Sequence, residues 1–162
     1  MQSFDVIVVG AGHAGIEAAL AATRLGQKTL VVTTNVARTG YMSCNPSIGG
    51  LGKGHMVREI DILGGAMAQV TDATCIQFKR LNARKGPAVR GSRAQCDKDL
   101  YCQQMGEKLN HQAGLFLLEG EVKSLCIENG KCSGVVTEDG VALAAKAVII
   151  TTGIAGRFCL TQ

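Results

Sequence analysis

A glycine-rich hexapeptide near the amino terminus has the residue types and spacing of a phosphate-binding turn. It matches the pattern G-x-G-x-x-G and consists of Gly10, Ala11, Gly12, His13, Ala14 and Gly15. In such turns the first glycine makes the bend, the second lets the backbone approach a pyrophosphate, and the third lets a helix pack on a strand. The amides at the start of that helix attract negative charge. The hexapeptide therefore predicts a dinucleotide site, with His13 as a spacer; a glycine turn that binds nothing is the alternative.

The segments on both sides of the hexapeptide predict the β-α-β unit that such a turn needs. Residues 4–9 are an apolar, β-branched run, typical of a parallel strand that is buried on both faces. Residues 12–25 are rich in alanine and end before Gly26, which favours a helix. Residues 28–33 form a second apolar run. The chain is therefore predicted to open as a doubly wound α/β fold.

The end of the second predicted strand departs from the usual dinucleotide site. An acidic residue normally stands there and holds the ribose hydroxyls. Here the corresponding residues are Thr33, Thr34 and Asn35. A simple NAD dehydrogenase is therefore less favoured, although hydroxyl or amide groups are able to replace the carboxylate.

The middle of the chain predicts a long loop followed by helices. Residues 34–54 are rich in glycine around Pro46, which indicates a loop. Residues 55–70 favour a helix that is interrupted by two glycines. Ser92 and Gln95 have the spacing of a capping box, which predicts a helix from there to about residue 112.

The last third of the chain predicts strands that are joined by tight turns. A strand is predicted at residues 115–119, and two turns of the Asn-Gly or Asp-Gly type then indicate an antiparallel meander. The strands of the meander are predicted at residues 122–128, 134–137 and 141–146. Residues 147–151 predict a last buried strand, followed by Thr152 and Gly153. This order resembles flavoproteins of the glutathione-reductase type, in which the meander and the last strand complete an FAD site, so FAD is favoured over NAD.

Composition limits the classes of protein to which the chain can belong. The chain has 162 residues, of which 46% are hydrophobic and 19% are charged, so a single folded domain is expected rather than a disordered chain or a membrane protein. Its seven cysteines are odd in number and form no C-x-x-C pair, so neither a disulfide framework nor a metal site is predicted. No secretory signal is recognisable. These features predict a protein of the reducing cytoplasm.

Three long blocks of sequence, taken in order, make the chain resemble one family. They are FDVIVVGAGHAGIEAA at residues 4–19, SCNPSIGGLGKGHMVREIDILGG at 43–65, and IQFKRLNARKGPAVRGSRAQCD at 76–97. The chain resembles the MnmG (GidA) family of FAD-dependent tRNA uridine 5-carboxymethylaminomethyl modification enzymes. The related folate-dependent tRNA methyltransferases match the second and third blocks less well.

The resemblance implies an activity, cofactors and partners. The expected reaction adds a carboxymethylaminomethyl or aminomethyl group to C5 of the wobble uridine in tRNA. It uses FAD, with NADH and methylenetetrahydrofolate as co-substrates. The expected partners are tRNA, a second copy of the chain in a homodimer, and the GTPase MnmE in a heterotetramer.

The resemblance also implies roles for particular residues. Cys44 is the candidate catalytic nucleophile, because a thiolate that attacks C6 activates C5 of a uracil; a small buried hydrophobe is the alternative. The main chain of Val122 is expected to meet the adenine of FAD. The basic residues Arg84, Lys85 and Arg90 match the KGPAVR segment. They are candidates for contacts with tRNA phosphates, while a position near the flavin and a solvated charged face are the alternatives.

Members of this family are several hundred residues long. The resemblance therefore predicts that residues 1–162 form the amino-terminal part of a Rossmann-like FAD-binding domain, incomplete at its carboxyl end, and that the chain alone is inactive. Residues 154–162 depart from the family pattern. Two alternatives remain: an FAD-dependent oxidoreductase that acts on a small molecule, and a nucleotide-binding remnant without catalytic activity.

Overall fold

The computed structural model describes residues 2–43 and 45–153. Contacts divide the chain into two compact units. The first unit comprises the residues up to Thr39 together with those from Gly106 onward, and the second unit is Gly40–Met105. That the 162 residues belong to one incomplete domain stays a prediction. None of the helices in the described ranges is both long and apolar enough to cross a bilayer.

The helices and strands follow one another along both units. In chain order they are β1 (Ser3–Val9), α1 (His13–Arg24), β2 (Thr29–Thr33), β3 (Ser47–Gly49), α2 (Lys53–Ile62), α3 (Met67–Thr74), β4 (Cys75–Leu81), β5 (Gly91–Cys96), α4 (Lys98–Asn110), β6 (Leu115–Glu119), β7 (Val122–Glu128), β8 (Lys131–Thr137) and β9 (Ala142–Ile150). Two short 3₁₀ turns lie at Val36–Arg38 and Pro87–Val89.

The first unit contains a six-stranded sheet with the order β6-β2-β1-β9-β8-β7. β1 lies in the middle, parallel to β2 and β9, and β2 is parallel to β6. β7, β8 and β9 pair antiparallel, as the predicted meander requires. Helix α1 connects β1 to β2 and packs chiefly on these two strands. The α/β fold with a β-α-β unit and a meander is therefore confirmed.

Strand β9 differs from the sequence prediction because it is one continuous strand instead of two. Ala144 pairs with both Gly134 of β8 and Ser3 of β1, so the antiparallel and parallel parts of the sheet share this strand. Lys146 interrupts the apolar pattern, but its Nζ lies 2.7 Å from Asp5 Oδ1 at the surface of the sheet. The charged residue therefore marks a solvent-facing position and not the end of a strand.

The prediction that the end of this strand is buried is also wrong. Ile149 and Ile150 are 36% and 43% exposed. The core instead joins apolar residues of the parallel strands to apolar residues of the meander, and it includes Ile7, Val9, Leu30, Val32, Val122, Val135 and Leu143. Helix α1 packs mainly over β1 and β2, so the carboxyl half of β9 is less covered.

The second unit contains a three-stranded antiparallel sheet with the order β3-β5-β4. Helices α2 and α3 replace the single interrupted helix of the sequence prediction, and Gly64, with a φ of 86°, follows α2. Strand β3 lies inside the segment predicted to be a loop.

The predicted capping box is wrong. Ser92 and Gln95 belong to β5, where they pair with neighbouring strands. Helix α4 begins later, at Lys98, and the Oδ1 atom of Asp97 accepts hydrogen bonds from the amides of Asp99 and Leu100 at 3.1 and 3.0 Å. An Asx-type cap therefore starts this helix, and the spacing of Ser92 and Gln95 reflects strand residues.

Candidate functional site

The carboxyl ends of the parallel strands bring several separate segments of the first unit to one edge of the sheet. The glycine turn follows β1, Thr33 ends β2, Glu119 ends β6, and Thr151 follows β9. In open α/β sheets, ligands bind at this edge, where strand order reverses. The edge is therefore the candidate site in this unit.

Two glycines of the turn are required by the fold itself. Gly10 has a φ of 105°, and a Cβ at this position would lie 2.8 Å from the carbonyl oxygen of Thr151. A Cβ at Gly15 would collide with the carbonyl oxygen of Gly10. These two glycines let the strand turn sharply and let α1 approach it, as the motif predicts.

Gly12 differs from these two glycines because no described atom of the protein requires a glycine there. A Cβ at Gly12 would meet nothing within 4 Å, and its φ of −75° and ψ of 178° suit any residue. Gly12 is exposed and is the N-cap residue of α1. Within the described ranges, no side-chain hydrogen bond caps this helix, and its first turn has no acidic residue. The open space in front of Gly12 therefore suits a ligand that approaches the main chain, and the helix start favours an anion.

Thr151 fixes the shape of the glycine turn. Its amide donates a hydrogen bond to the carbonyl oxygen of Val9 at 2.9 Å. Its hydroxyl lies 2.9 Å from the same oxygen and 3.2 Å from the carbonyl oxygen of Gly10. The threonine that follows β9 is therefore a positioning residue for the turn that follows β1.

Glu119 supplies a carboxylate that the sequence analysis missed. Thr33 pairs with Glu119 across β2 and β6, so this acidic side chain stands beside the strand end that lacks its own acid. Its Oε2 atom accepts a hydrogen bond from the amide of Val36 at 3.0 Å. The position could not be found from local sequence, because 83 residues separate the two partners. The exposed carboxylate has a second oxygen that is able to accept hydrogen bonds from a ribose.

The remaining candidates of this unit occupy different environments. Ala11 is buried, His13 is half-buried and Ala14 is exposed. Val122 is the first residue of β7, and its side chain is buried in the core. Val122 therefore acts as a packing residue through its side chain, and only its main chain is available for the adenine contact that the resemblance implies.

In the second unit, Cys44 lies outside the described residues. Two basic residues that follow it in sequence are in the first turn of α2. Lys53 is half-buried, and this burial lowers its pKa. The Nδ1 atom of His55 lies 2.9 Å from the carbonyl oxygen of Leu51, so Nδ1 carries the proton, because a carbonyl only accepts.

The candidate basic residues lie in the turn between β4 and β5. Arg84 and Lys85 are exposed, and Arg90 is half-buried. The Nε atom of Arg90 donates a hydrogen bond to the carbonyl oxygen of Lys85 at 2.8 Å, which holds the two ends of the turn together. None of the three forms an ion pair with a residue in the described part of the chain. Their charge is therefore available to an external anion.

Comparisons with known proteins agree with this architecture. A family model described as "Glucose inhibited division protein A" matches residues 5–161. The tRNA uridine 5-carboxymethylaminomethyl modification enzyme MnmG of Bdellovibrio bacteriovorus is 64% identical over 152 residues, which are 94% of this chain and 24% of that enzyme. The MnmG of Desulfotalea psychrophila is 57% identical, with the same shares. The chain thus spans about a quarter of the length of these relatives.

Solved structures agree with the family match and with the fold. GidA of Aquifex aeolicus is similar with a TM-score of 0.90 and 51% identity, over 94% of this chain and 25% of that one. PqsL of Pseudomonas aeruginosa, a probable FAD-dependent monooxygenase, is similar in fold alone, with a TM-score of 0.65 and 18% identity over 95% of this chain and 43% of that one. The predicted family and α/β fold are confirmed. Because the family model matches nearly its whole length, the chain belongs to the glucose inhibited division protein A family.

Proposed function

We propose that this chain contributes the FAD-binding part of an enzyme that modifies the wobble uridine of tRNA at C5. The relatives named above are tRNA modification enzymes, which supports the reaction class. The reaction would add a carboxymethylaminomethyl or aminomethyl group, with NADH and methylenetetrahydrofolate as co-substrates. It would take place in the cytoplasm, in a homodimer that associates with the GTPase MnmE.

The observation that carries the proposal is the open space in front of Gly12. A glycine whose Cβ would meet no described atom, at the start of a helix without a side-chain cap, is explained by a ligand that approaches the main chain. A pyrophosphate fits this position, because the main-chain amides at the start of α1 and the positive end of that helix favour a compact anion.

Other residues of the same sheet edge suit the rest of an FAD molecule. Glu119 would accept hydrogen bonds from the ribose hydroxyls through the oxygen that does not bind Val36. The main chain of Val122 would lie against the adenine. Bound flavin would supply hydride transfer, which side chains cannot perform, while the protein orients the reacting groups and excludes water.

Cys44 and the basic turn would act on the RNA. The thiolate of Cys44 would add to C6 of the uracil and push the electron pair towards C5. This carbon would then attack the methylene carbon of the folate, while a carbon–nitrogen bond of the folate breaks and its electron pair moves to nitrogen. Loss of the C5 proton would return the electrons and expel the thiolate. Arg84, Lys85 and Arg90 would neutralise tRNA phosphates, which agrees with their lack of ion-pair partners among the described residues.

A titration with FAD tests the proposal. Binding is followed by the change in flavin fluorescence for the unmodified chain and for Gly12→Ser. Serine is a better N-cap residue than glycine, so the variant keeps or improves the stability of α1. Its side chain nevertheless occupies the space of the ligand, so we expect at least a tenfold loss of FAD affinity, about 1.4 kcal/mol, with an unchanged Tm.

Three results would contradict the proposal. The absence of saturable FAD binding to the unmodified chain would favour the nucleotide-binding remnant. Equal FAD affinity of the unmodified chain and Gly12→Ser would remove the glycine turn from the site. If FAD binds but tRNA does not, the oxidoreductase of a small molecule becomes the better interpretation.

A further inference from the structure

Helices pack on one face of the three-stranded sheet at β3 and β5, while β4 is exposed on both faces. The face with the helices is called the covered face, and the opposite face is called the open face. On the covered face, Ile48 and Ala94 are buried and pair with each other across β3 and β5. Helices α2 and α3 contact this sheet. The Nη2 atom of Arg58, in α2, lies 3.1 Å from the Oγ atom of Ser92, which places α2 on the face that carries Ser92 and Ala94. Side chains of the odd-numbered residues of β5 therefore point away from both helices.

The open face carries polar and basic side chains in two neighbouring rows. Each row crosses the three strands, because residues that pair directly share a face of the sheet. The first row is Ser47, Gln95 and Gln77, and the second row is Gly49, Arg93 and Lys79. Gln77 and Lys79 are exposed, whereas Ser47, Arg93 and Gln95 are half-buried.

Two positive charges stand directly opposite each other in the second row. Lys79 pairs with Arg93, an arrangement that destabilises a sheet unless an anion lies between the charges. Neither residue forms an ion pair with a carboxylate in the described part of the chain. The Nη2 atom of Arg93 instead donates a hydrogen bond to Ser47 Oγ at 3.1 Å, which orients the guanidinium without neutralising it. The remaining donors of Arg93 and the ammonium of Lys79 are therefore available to a phosphate.

We propose that this open face binds single-stranded RNA, with Lys79 and Arg93 on a phosphate and Gln77 and Gln95 on the edge of the neighbouring base. Rows on one face of a strand lie about 7 Å apart, so a phosphate on one row leaves its nucleoside within reach of the other. A carboxamide both donates and accepts hydrogen bonds, as a base edge requires. Base edges are accessible in unpaired RNA. The proposal deepens the proposed function and rests on it, because it assigns the unpaired segment of the tRNA to this face.

The test uses neighbouring residues on opposite faces of the same strand. Binding of a fluorescein-labelled, unstructured ten-nucleotide RNA is measured by anisotropy across salt concentrations. We expect Lys79→Gln and Arg93→Gln each to weaken binding at low salt. The double variant should weaken it about tenfold and lower the slope of log affinity against log salt by about 0.7, the value for one phosphate contact in a single strand. The matched control is Arg80→Gln, since Arg80 is also exposed but pairs with Ser92 and so belongs to the covered face.

Variants of the two glutamines should change base preference and not the salt dependence of binding. Gln77→Ala and Gln95→Ala should leave the salt slope unchanged, because they remove no charge. They should reduce the preference between oligo(A) and oligo(U) at least threefold, since carboxamides read base edges. Far-UV circular dichroism and Tm confirm that each variant is folded.

Several outcomes would overturn the proposal. One is an equal loss of affinity in Arg80→Gln, which would indicate a general effect of charge. Another is equal competition by inorganic polyphosphate and RNA, which would indicate a site for any polyanion. If only Arg84, Lys85 or Arg90 variants weaken RNA binding, the open face is excluded while tRNA binding stands. FAD titration of the same variants tests the proposed function separately, because none of them alters the glycine turn.

Discussion

The glycine turn of the first unit and the β4–β5 hairpin of the second are both candidate anion sites, but they are built from different groups. In the glycine turn, the candidate groups are main-chain amides. Their positions require glycine at residues 10 and 15, where a Cβ would clash with the backbone. In the hairpin, they are long basic side chains, which are exposed on β4 and in the turn and half-buried at Arg90 and Arg93. Changes at Gly10 or Gly15 should therefore alter both fold and binding, whereas changes at Gly12 or in the hairpin should alter binding alone.

The largest effect is expected from a methyl group in the glycine turn. Gly15→Ala places a Cβ against the carbonyl oxygen of Gly10, and the backbone of a closely packed strand and helix cannot move away without loss of contacts. We expect a loss of about 3 kcal/mol or more in the free energy of unfolding. Gly86→Ala in the hairpin is the control, because its Cβ would meet nothing within 4 Å. Denaturant unfolding measures both variants. Similar free energies of unfolding for Gly15→Ala and Gly86→Ala would contradict the expected difference between the glycine turn and the hairpin.

A smaller effect is expected from the threonine that holds the turn. Thr151→Val keeps the shape of the side chain but removes its hydroxyl from the carbonyl oxygens of Val9 and Gly10. We expect a loss of about 1 to 2 kcal/mol in the free energy of unfolding, together with weaker FAD binding. Thr151→Ser, which retains the hydroxyl, should keep most of the stability and most of the FAD affinity. If valine and serine behave alike, the hydroxyl does not position the turn.

In the hairpin, Arg90→Ala should change binding without changing the fold. Loss of one phosphate contact would weaken tRNA binding severalfold and lower the salt slope by about 0.7 to 0.9. The Tm should shift little, because the side chain makes a single hydrogen bond to the carbonyl oxygen of Lys85. Lys131→Ala, at an exposed lysine of the first unit, is the control. An unchanged salt slope in Arg90→Ala would remove this residue from the phosphate contacts.

The smallest effect concerns Lys53, where burial lowers the pKa. Its folded pKa lies below that of the unfolded chain, so the unfolded state binds more protons between the two values, and stability rises as the pH increases through that window. Lys53→Met removes the buried charge. We expect its Tm at pH 7 to exceed that of the unmodified chain by about 1 to 3 °C. The difference should shrink as the pH rises above 10.5, the ordinary pKa of lysine, because the amine then becomes neutral in both states. A difference that does not depend on pH would contradict this cause.

The local sequence determined the β-α-β unit and its glycine turn. An apolar run, a glycine pattern and an alanine-rich helix are signals that residues close together in the chain carry by themselves. The positive φ of Gly10 and the close approach of Gly15 to the carbonyl oxygen of Gly10 then follow from the turn that the pattern encodes. The same local logic failed in the second unit. There, Ser92 and Gln95 have the spacing of a helix cap, yet they lie in β5, because pairing with β3 and β4 outweighs a weak local preference.

The tertiary structure alone decided which distant residues share a site. The carboxylate of Glu119 reaches the end of β2 because β6 pairs beside it, and the hydroxyl of Thr151 reaches the glycine turn because β9 pairs with β1. The open face that carries Lys79 and Arg93 likewise depends on strand register, since a shift of one residue would turn both side chains to the opposite face of the sheet. Local propensity acts over a few residues, whereas register is set by the burial of a whole face, and this is why only the folded chain reveals these groupings.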